Sequence, residues 1–205
     1  KLVIYFFMKE NIFIQEIFKT PVYKTSLTLD NKSIKKYCLN FSKKNKGRII
    51  SNIGGWQSDN LSGAHKPLND LFINLETHAN IFGKQIGLIK KLFINNIWIN
   101  INRYKDSNKL HCHPNSMISG VYYIKTPKDC GDINFINPSS DELQIDWNKH
   151  KKAFNGYTVY NSIEWFLPSI ENELYLFPSW LKHYVKPNMN KKEERISISF
   201  NLHYE

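Results

Sequence analysis

From Leu92 onward the chain is a succession of short β-type runs, and this succession limits what it can fold into. The runs are LFINNIWININRY, MISGVYYI, DINFIN, YTVY, IEWF, ELYLF, KHYV and RISISFNLHY, separated by Pro, Gly, Asn and Asp. Such a row of about eight strands with turn punctuation predicts a double-sheet β architecture. The expected class is mainly β with flanking helices: a double-stranded β-helix, the cupin-like jelly-roll barrel.

The last run alternates strictly. Arg195, Ser197, Ser199 and Asn201 fall on one face of a strand, and Ile196, Ile198, Phe200 and Leu202 on the other. The apolar face is expected beneath helices. The polar face then looks into the barrel, where polar groups are costly unless a ligand uses them.

The front of the chain supplies the cover. Residues 12–29 read as an opening strand pair, IFIQEIF and VYKTSLTL, broken at Pro21. Asp30 or Ser33 can cap a helix over roughly residues 33–44. A second helix runs from Leu68, with Leu71, Phe72, Leu75, Ala79 and Phe82 at helical spacing. The expected organisation is one domain over residues 1–205, with 8–91 as support and 92–205 as the jelly-roll core. Residues 1–7 read as an upstream extension of a natural start at Met8.

Composition narrows the function classes. The net charge of +10 suggests a polyanion partner, but the lysines are spread along the chain and only short pairs such as Lys43-Lys44 and Lys191-Lys192 occur. There is no basic helix and no aromatic–basic ladder, so nucleic acid is the disfavoured partner. KLVIYFF is too short for a signal or a membrane span. Three cysteines without CxxC spacing point away from a disulfide framework and toward a reducing, cytoplasmic compartment. Arginine is scarce: Arg48, Arg103 and Arg195 are the only three.

His111 and His113 stand at i, i+2, so an extended segment projects both to one face and Cys112 to the other. His183, from a distant strand after Pro178, can complete a set of three metal ligands. Three neutral imidazoles suit iron, zinc, copper or nickel. His65, His78, His150 and His203 read as surface or hydrogen-bonded residues. A hairpin through PNMNKKEE is expected to bring Arg195 beside His183, one strand spacing sideways and about 5–8 Å away. There a guanidinium fork can grip the far carboxylate of an acid chelated to the metal, which lysine does not reproduce.

These segments resemble 2-oxoglutarate/Fe(II) oxygenases related to prolyl hydroxylases. The resemblance covers FKTPVYKTSL, SNIGGWQSDNL at 51–61, HCHPNSMISGVYYIKTP, ELYLFPSWLKHYV and RISISFN. It implies an Fe(II) centre with 2-oxoglutarate as co-substrate and release of succinate and CO2. It makes His111 and His183 iron ligands and Arg195 the co-substrate anchor. It also assigns Tyr123 to the distal carboxylate and Ser197 to an Arg-x-Ser pattern; Asn102 and Tyr104 are candidates for the pocket wall. The departure is His113, which stands where most such enzymes have a carboxylate; relatives with the HxHP pattern share the histidine, which favours coordination. Gly54–Gln57 can form a loop with Trp56 as a wall of the mouth or as a fixed point between helix and barrel.

The expected substrate is a small molecule, amino acid or peptide hydroxylated at a C–H bond, and a homodimer is compatible with the sequence. Two other classes compete. A three-histidine zinc hydrolase or hydratase leaves Arg195 and Tyr123 without a role. A metal-free jelly-roll binding protein leaves the histidines without one.

Overall fold

The computed structural model describes residues 15–61 and 67–205. In chain order its elements are β1 (Tyr23–Ser26), α1 (Asn31–Lys44), β2 (Asn52–Ile53), β3 (Trp56–Gln57) and α2 (Asn69–Gln85). There follow β4 (Leu92–Asn102), β5 (Ser107–His111), β6 (Ile118–Lys125), β7 (Ile133–Ile136) and α3 (Ser140–Asp146). A 3-10 segment (Asn148–Ala153) leads to β8 (Glu164–Leu167), β9 (Glu173–Pro178), β10 (His183–Val185) and β11 (Arg195–Tyr204).

The strands form two antiparallel sheets. The major sheet has six strands in the order β1-β9-β6-β11-β4-β3, and the minor sheet five in the order β2-β5-β10-β7-β8. This is the mainly β, double-sheet jelly-roll class expected from the strand succession.

β11 explains the layering. Its apolar face works as the alternation requires: Ile196, Ile198, Phe200 and Leu202 are fully buried in the larger core. Leu71, Leu75, Ala79 and Phe82 of α2 join them there, with Ile34 and Cys38 of α1 and Ile97, Ile99 and Ile101 of β4. A second, smaller core lies between the sheets and contains Val121, Tyr123, Ile133, Phe135, Tyr175, Phe177 and Leu181. Burying each large side chain contributes about 1.5–3 kcal/mol, so the helix-backed face of the major sheet is the stiffer half.

The helices start and stop for local reasons. Asp30 caps α1 by accepting from the Ser33 backbone N–H at 3.1 Å, and Lys43 and Lys44 favour its negative end. α2 ends where Gly87 takes a φ of 89°, which a residue with a Cβ adopts only under strain. Polar side chains also tie α2 to the sheet. Asn80 accepts from the Leu92 N–H at 2.8 Å and donates to its carbonyl at 2.9 Å, and Glu76 accepts from the Ile94 N–H at 3.0 Å. Farther along β4, Asn60 accepts from the Ile97 N–H at 2.7 Å and Ser58 Oγ from the Ile99 N–H at 2.9 Å.

Three expectations are corrected. The opening strand pair does not form: Ile12–Ile14 and His65 lie outside the described residues, Gln15–Phe18 is not strand, and only Tyr23–Ser26 pairs, with β9. YTVY is a turn, not a strand; its residues are exposed and so gain nothing from pleating against a core. The insert before it contains α3 and the 3-10 segment. PNMNKKEE is not a hairpin but a crossing from the minor sheet to the major one, because β10 and β11 belong to different sheets. Asn188 fixes that crossing. It donates to the carbonyls of Asn102 and Glu193 at 2.9 Å each, and its N–H reaches the Asp106 carbonyl at 3.0 Å.

Candidate metal centre

The minor sheet brings two histidines together by register. His183 opens β10 and stands directly opposite His111, the last residue of β5, with Phe135 of β7 on its other side. His113 lies just beyond the end of β5, where its N–H donates to the Ser179 carbonyl at 2.9 Å. One nitrogen from each of His111, His113 and His183 lies within 4.8 Å of the other two. His113 Nε2 and His183 Nε2 are 3.3 Å apart. Cys112 is not in the set.

The donor set fits a metal ion. His111 Nδ1 meets the Lys109 carbonyl at 2.7 Å and His183 Nδ1 meets the Leu181 carbonyl at 2.9 Å. A carbonyl only accepts, so both rings carry their proton on Nδ1 and keep the Nε2 lone pair for a ligand bond. Burial also keeps the rings uncharged. It pushes His183 down to about 3 and His113 down to about 4, with His111 opposing a further charge on each, and it lowers His111 too. No carboxylate joins the cluster among the described residues. Asp106 accepts instead from the Arg103 N–H at 2.7 Å, and Asp132 from the Ser169 N–H at 3.3 Å.

A narrow cavity runs from this cluster between the sheets, with about 40 Å³ open to the centre of a water molecule. The polar face of β11 forms part of its wall, and Arg195, Tyr123 and Ser197 line it together with the three histidines. Arg195 is 1% exposed. Its Nη1 donates to the carbonyls of Cys130 at 2.6 Å, Gly131 at 3.1 Å and Lys186 at 3.4 Å. Gly131 permits this packing, since a Cβ there would lie 2.1 Å from the Lys186 carbonyl oxygen. Among the described residues Arg195 has no salt-bridge partner. Asp132 and Asp106 act on it only from beyond salt-bridge distance, so the buried guanidinium is open to an anion of its own.

Beside it, the Tyr123 hydroxyl is buried and lies toward Ser169 without reaching hydrogen-bond geometry. Tyr123 stands opposite Ser197 in the β6–β11 register. A slender dianion with one end at the histidines and the other at Arg195 and Tyr123 satisfies both. The residues present therefore fit 2-oxoglutarate as well as a metal.

Several expected neighbours fall elsewhere. Arg195 does not flank His183 in one sheet; it faces the cavity from the opposite sheet. Asn102 is buried but does not line the cavity, and Tyr104 stands on the surface beneath Lys105 and Lys191. Trp56 joins helix to barrel: its Nε1 donates to the Asn45 carbonyl at 3.0 Å and its ring meets Phe41. Among the other histidines, His78 bonds the Tyr23 hydroxyl at 2.8 Å.

Sequence reasoning missed Trp98 and Asn100, which line the cavity from β4. Trp98 packs on His113 with ring centroids 5.7 Å apart, and Asn100 Nδ2 donates to Ser199 Oγ at 3.0 Å. The alternation of NIWININ carried that signal.

A jelly roll with an interior three-histidine cluster and a buried, unpaired arginine defines a class of metal-dependent, anion-binding β-barrel proteins. The sequence profile of the family described as "Putative 2OG-Fe(II) oxygenase" matches residues 96–201, which hold the three histidines, Arg195, Tyr123 and Ser197. The chain belongs to that family and is a 2-oxoglutarate-dependent Fe(II) oxygenase, with Fe(II) and 2-oxoglutarate as its cofactor and co-substrate. No curated protein matches it by sequence. Among solved structures it is similar to a prolyl-4-hydroxylase from Pseudomonas putida, with 12% identity, a TM-score of 0.64, and coverage of 91% of this chain and 94% of that one. A Trichoplax adhaerens prolyl hydroxylase, in complex with a hypoxia inducible factor peptide fragment, gives 13%, 0.58, 89% and 83%. HygX from Streptomyces hygroscopicus, with nickel and 2-oxoglutarate bound, gives 8%, 0.57, 90% and 83%. At these identities the likeness is one of fold.

Proposed function

We propose that His111, His113 and His183 hold Fe(II), and that Arg195 grips the distal carboxylate of 2-oxoglutarate, with Tyr123 and Ser197 beside it. The observation that carries this reading is Arg195 itself: a buried cation with no carboxylate within salt-bridge distance among the described residues, lining the same narrow cavity as the histidine cluster. When bound, iron and 2-oxoglutarate supply the oxidising chemistry, with succinate and CO2 as by-products.

The chain's own residues bind, orient and shield. Nη1 is held by three carbonyls, so the guanidinium cannot swing and its remaining donors form a fixed fork. The Tyr123 hydroxyl is kept protonated by burial, which pushes it up to about 12 despite Arg195, and so it donates. Trp98, Val121, Ile133 and Phe177 give the cavity apolar walls that exclude bulk water.

The reaction we propose is hydroxylation of a C–H bond in a small molecule, amino acid or peptide. A peptide complex of one structural neighbour and the narrowness of the interior support a substrate that presents one slender group to the centre. The decisive experiment is calorimetry of 2-oxoglutarate with Mn(II) in place of iron. Tight binding by the wild type and its collapse in Arg195→Lys supports the assignment, and equal affinity in both overturns it.

A further inference from the structure

Two of the three histidines are oriented by backbone carbonyls; the third is not. His113 Nδ1 lies 3.3 Å from the side-chain amide nitrogen of Asn201, and Ser119 Oγ donates to Asn201 Oδ1 at 2.7 Å. Ser119 is 1% exposed and Asn201 3%. They are partners in the β6–β11 register, on the interior face of the major sheet. From the major sheet, Asn201, itself held by Ser119, meets the one ring whose strand has already ended.

The direction of the hydrogen bonds matters. As arranged, Ser119 donates to Asn201, the Asn201 amide donates to His113 Nδ1, and His113 must then carry its proton on Nε2. That proton points at His183 Nε2, 3.3 Å away. In this arrangement a single proton occupies the space between two would-be ligand atoms. Turning the Asn201 amide over reverses the chain. Oδ1 then accepts from His113 Nδ1–H, the amide NH2 donates to Ser119 Oγ, and His113 Nε2 is bare, like those of His111 and His183. No proton enters or leaves; only its position on the ring changes. A carbonyl or carboxylate cannot do both, because it only accepts, and an apolar residue can do neither.

We propose that Ser119 and Asn201 form an amide switch that sets the tautomer of His113: closed in the metal-free protein, and turned to make His113 the third neutral ligand when metal binds. Asn201 is thus a positioning residue acting through His113. It occupies the place in this site that an outer hydrogen-bond partner of a metal-binding histidine commonly holds, where its loss costs about 10–100-fold in metal affinity. The inference rests on the three-histidine reading of the centre.

The test uses the full chain, NMR of the imidazole nitrogens and titration with Co(II). In the metal-free wild type His113 should be the Nε2–H tautomer, with His111 and His183 as Nδ1–H. Asn201→Asp should show His113 as Nδ1–H before any metal is added and should bind Co(II) at least as tightly as the wild type. Asn201→Leu should bind it about 10–100-fold more weakly, and Ser119→Ala should fall between. The same His113 tautomer in the wild type and Asn201→Asp overturns the proposal, as does unchanged Co(II) affinity in a folded Asn201→Leu. A wild type that binds no Co(II) refutes the three-histidine reading instead, and the tautomer comparison still decides the switch.

Discussion

The two sheets differ in how they hold functional residues. In the major sheet β11 is ten residues long and paired along most of its length with β4 on one side and β6 on the other. In the minor sheet β10 is three residues long, and its pairing with β5 slips by one position between His183 and Val185. The first carries Arg195, the proposed co-substrate anchor, on a long, helix-backed strand. The second carries His111 and His183, two of the three proposed metal ligands, on short strands whose outer faces leave Ile53, Leu110 and Phe166 exposed. Stiffness thus resides where the proposed fork must be aimed, and His111 and His183 are fixed by hydrogen bonds to carbonyls instead of by strand length.

The comparison is broken most severely by removing a ligand. His183→Ala should abolish metal-dependent turnover and weaken metal binding beyond detection, while β11 and the fold persist; metal content and circular dichroism check both. Retained metal at full occupancy would show that the minor sheet does not hold the centre. Next comes the proposed anchor: Arg195→Lys should weaken 2-oxoglutarate by about 2–5 kcal/mol without lowering metal affinity, as read by calorimetry.

The helix-backed core should be nearly as sensitive in stability. Leu75→Ala should cost about 2–5 kcal/mol in denaturant unfolding, whereas Phe166→Ala on the outer face of the minor sheet should change stability by about 0.5 kcal/mol or less. Similar costs for the two would erase the contrast between sheets.

A smaller effect concerns pH. Burial holds His113 and His183 below their ordinary value of 6.5, at about 4 and about 3. Between those values and 6.5 the unfolded chain binds more protons than the folded one, so stability should fall as pH drops. In the metal-free protein it should be fully present above about pH 6.5 and decline steadily toward pH 4. Thermal unfolding across that range checks the sign, and His113→Gln should flatten the slope. The smallest expected change is Tyr123→Phe, which removes one neutral donor and should weaken 2-oxoglutarate by about 1 kcal/mol.

What was legible in the sequence follows the same division. β11 could be read outright, because its alternation states both of its faces, and so could α2, because five apolar residues recur at helical spacing. The three histidines were found by type and spacing. The sheet to which the strand of His183 belongs was not, since three residues carry no periodicity and the crossing after it contains ordinary turn residues. Arg195 was therefore assigned to the right cavity through the wrong neighbour. Asn201 was placed on the correct face, yet its bond to His113 depends on contact between distant strands that no local pattern encodes. YTVY failed for the opposite reason: β-type residues without a core to cover do not become a strand.

The side chains that meet β4 have a consequence for how copies of this chain behave toward one another. A strand whose backbone N–H groups lie open is a template for a strand of another molecule. Along β4 those groups are taken by Glu76, Asn80, Asn60 and Ser58, so polar side chains do the work that a neighbouring strand would otherwise do. The part of β4 that runs past the short strand β3 is thus closed from within, and another chain cannot add a strand there without displacing these side chains.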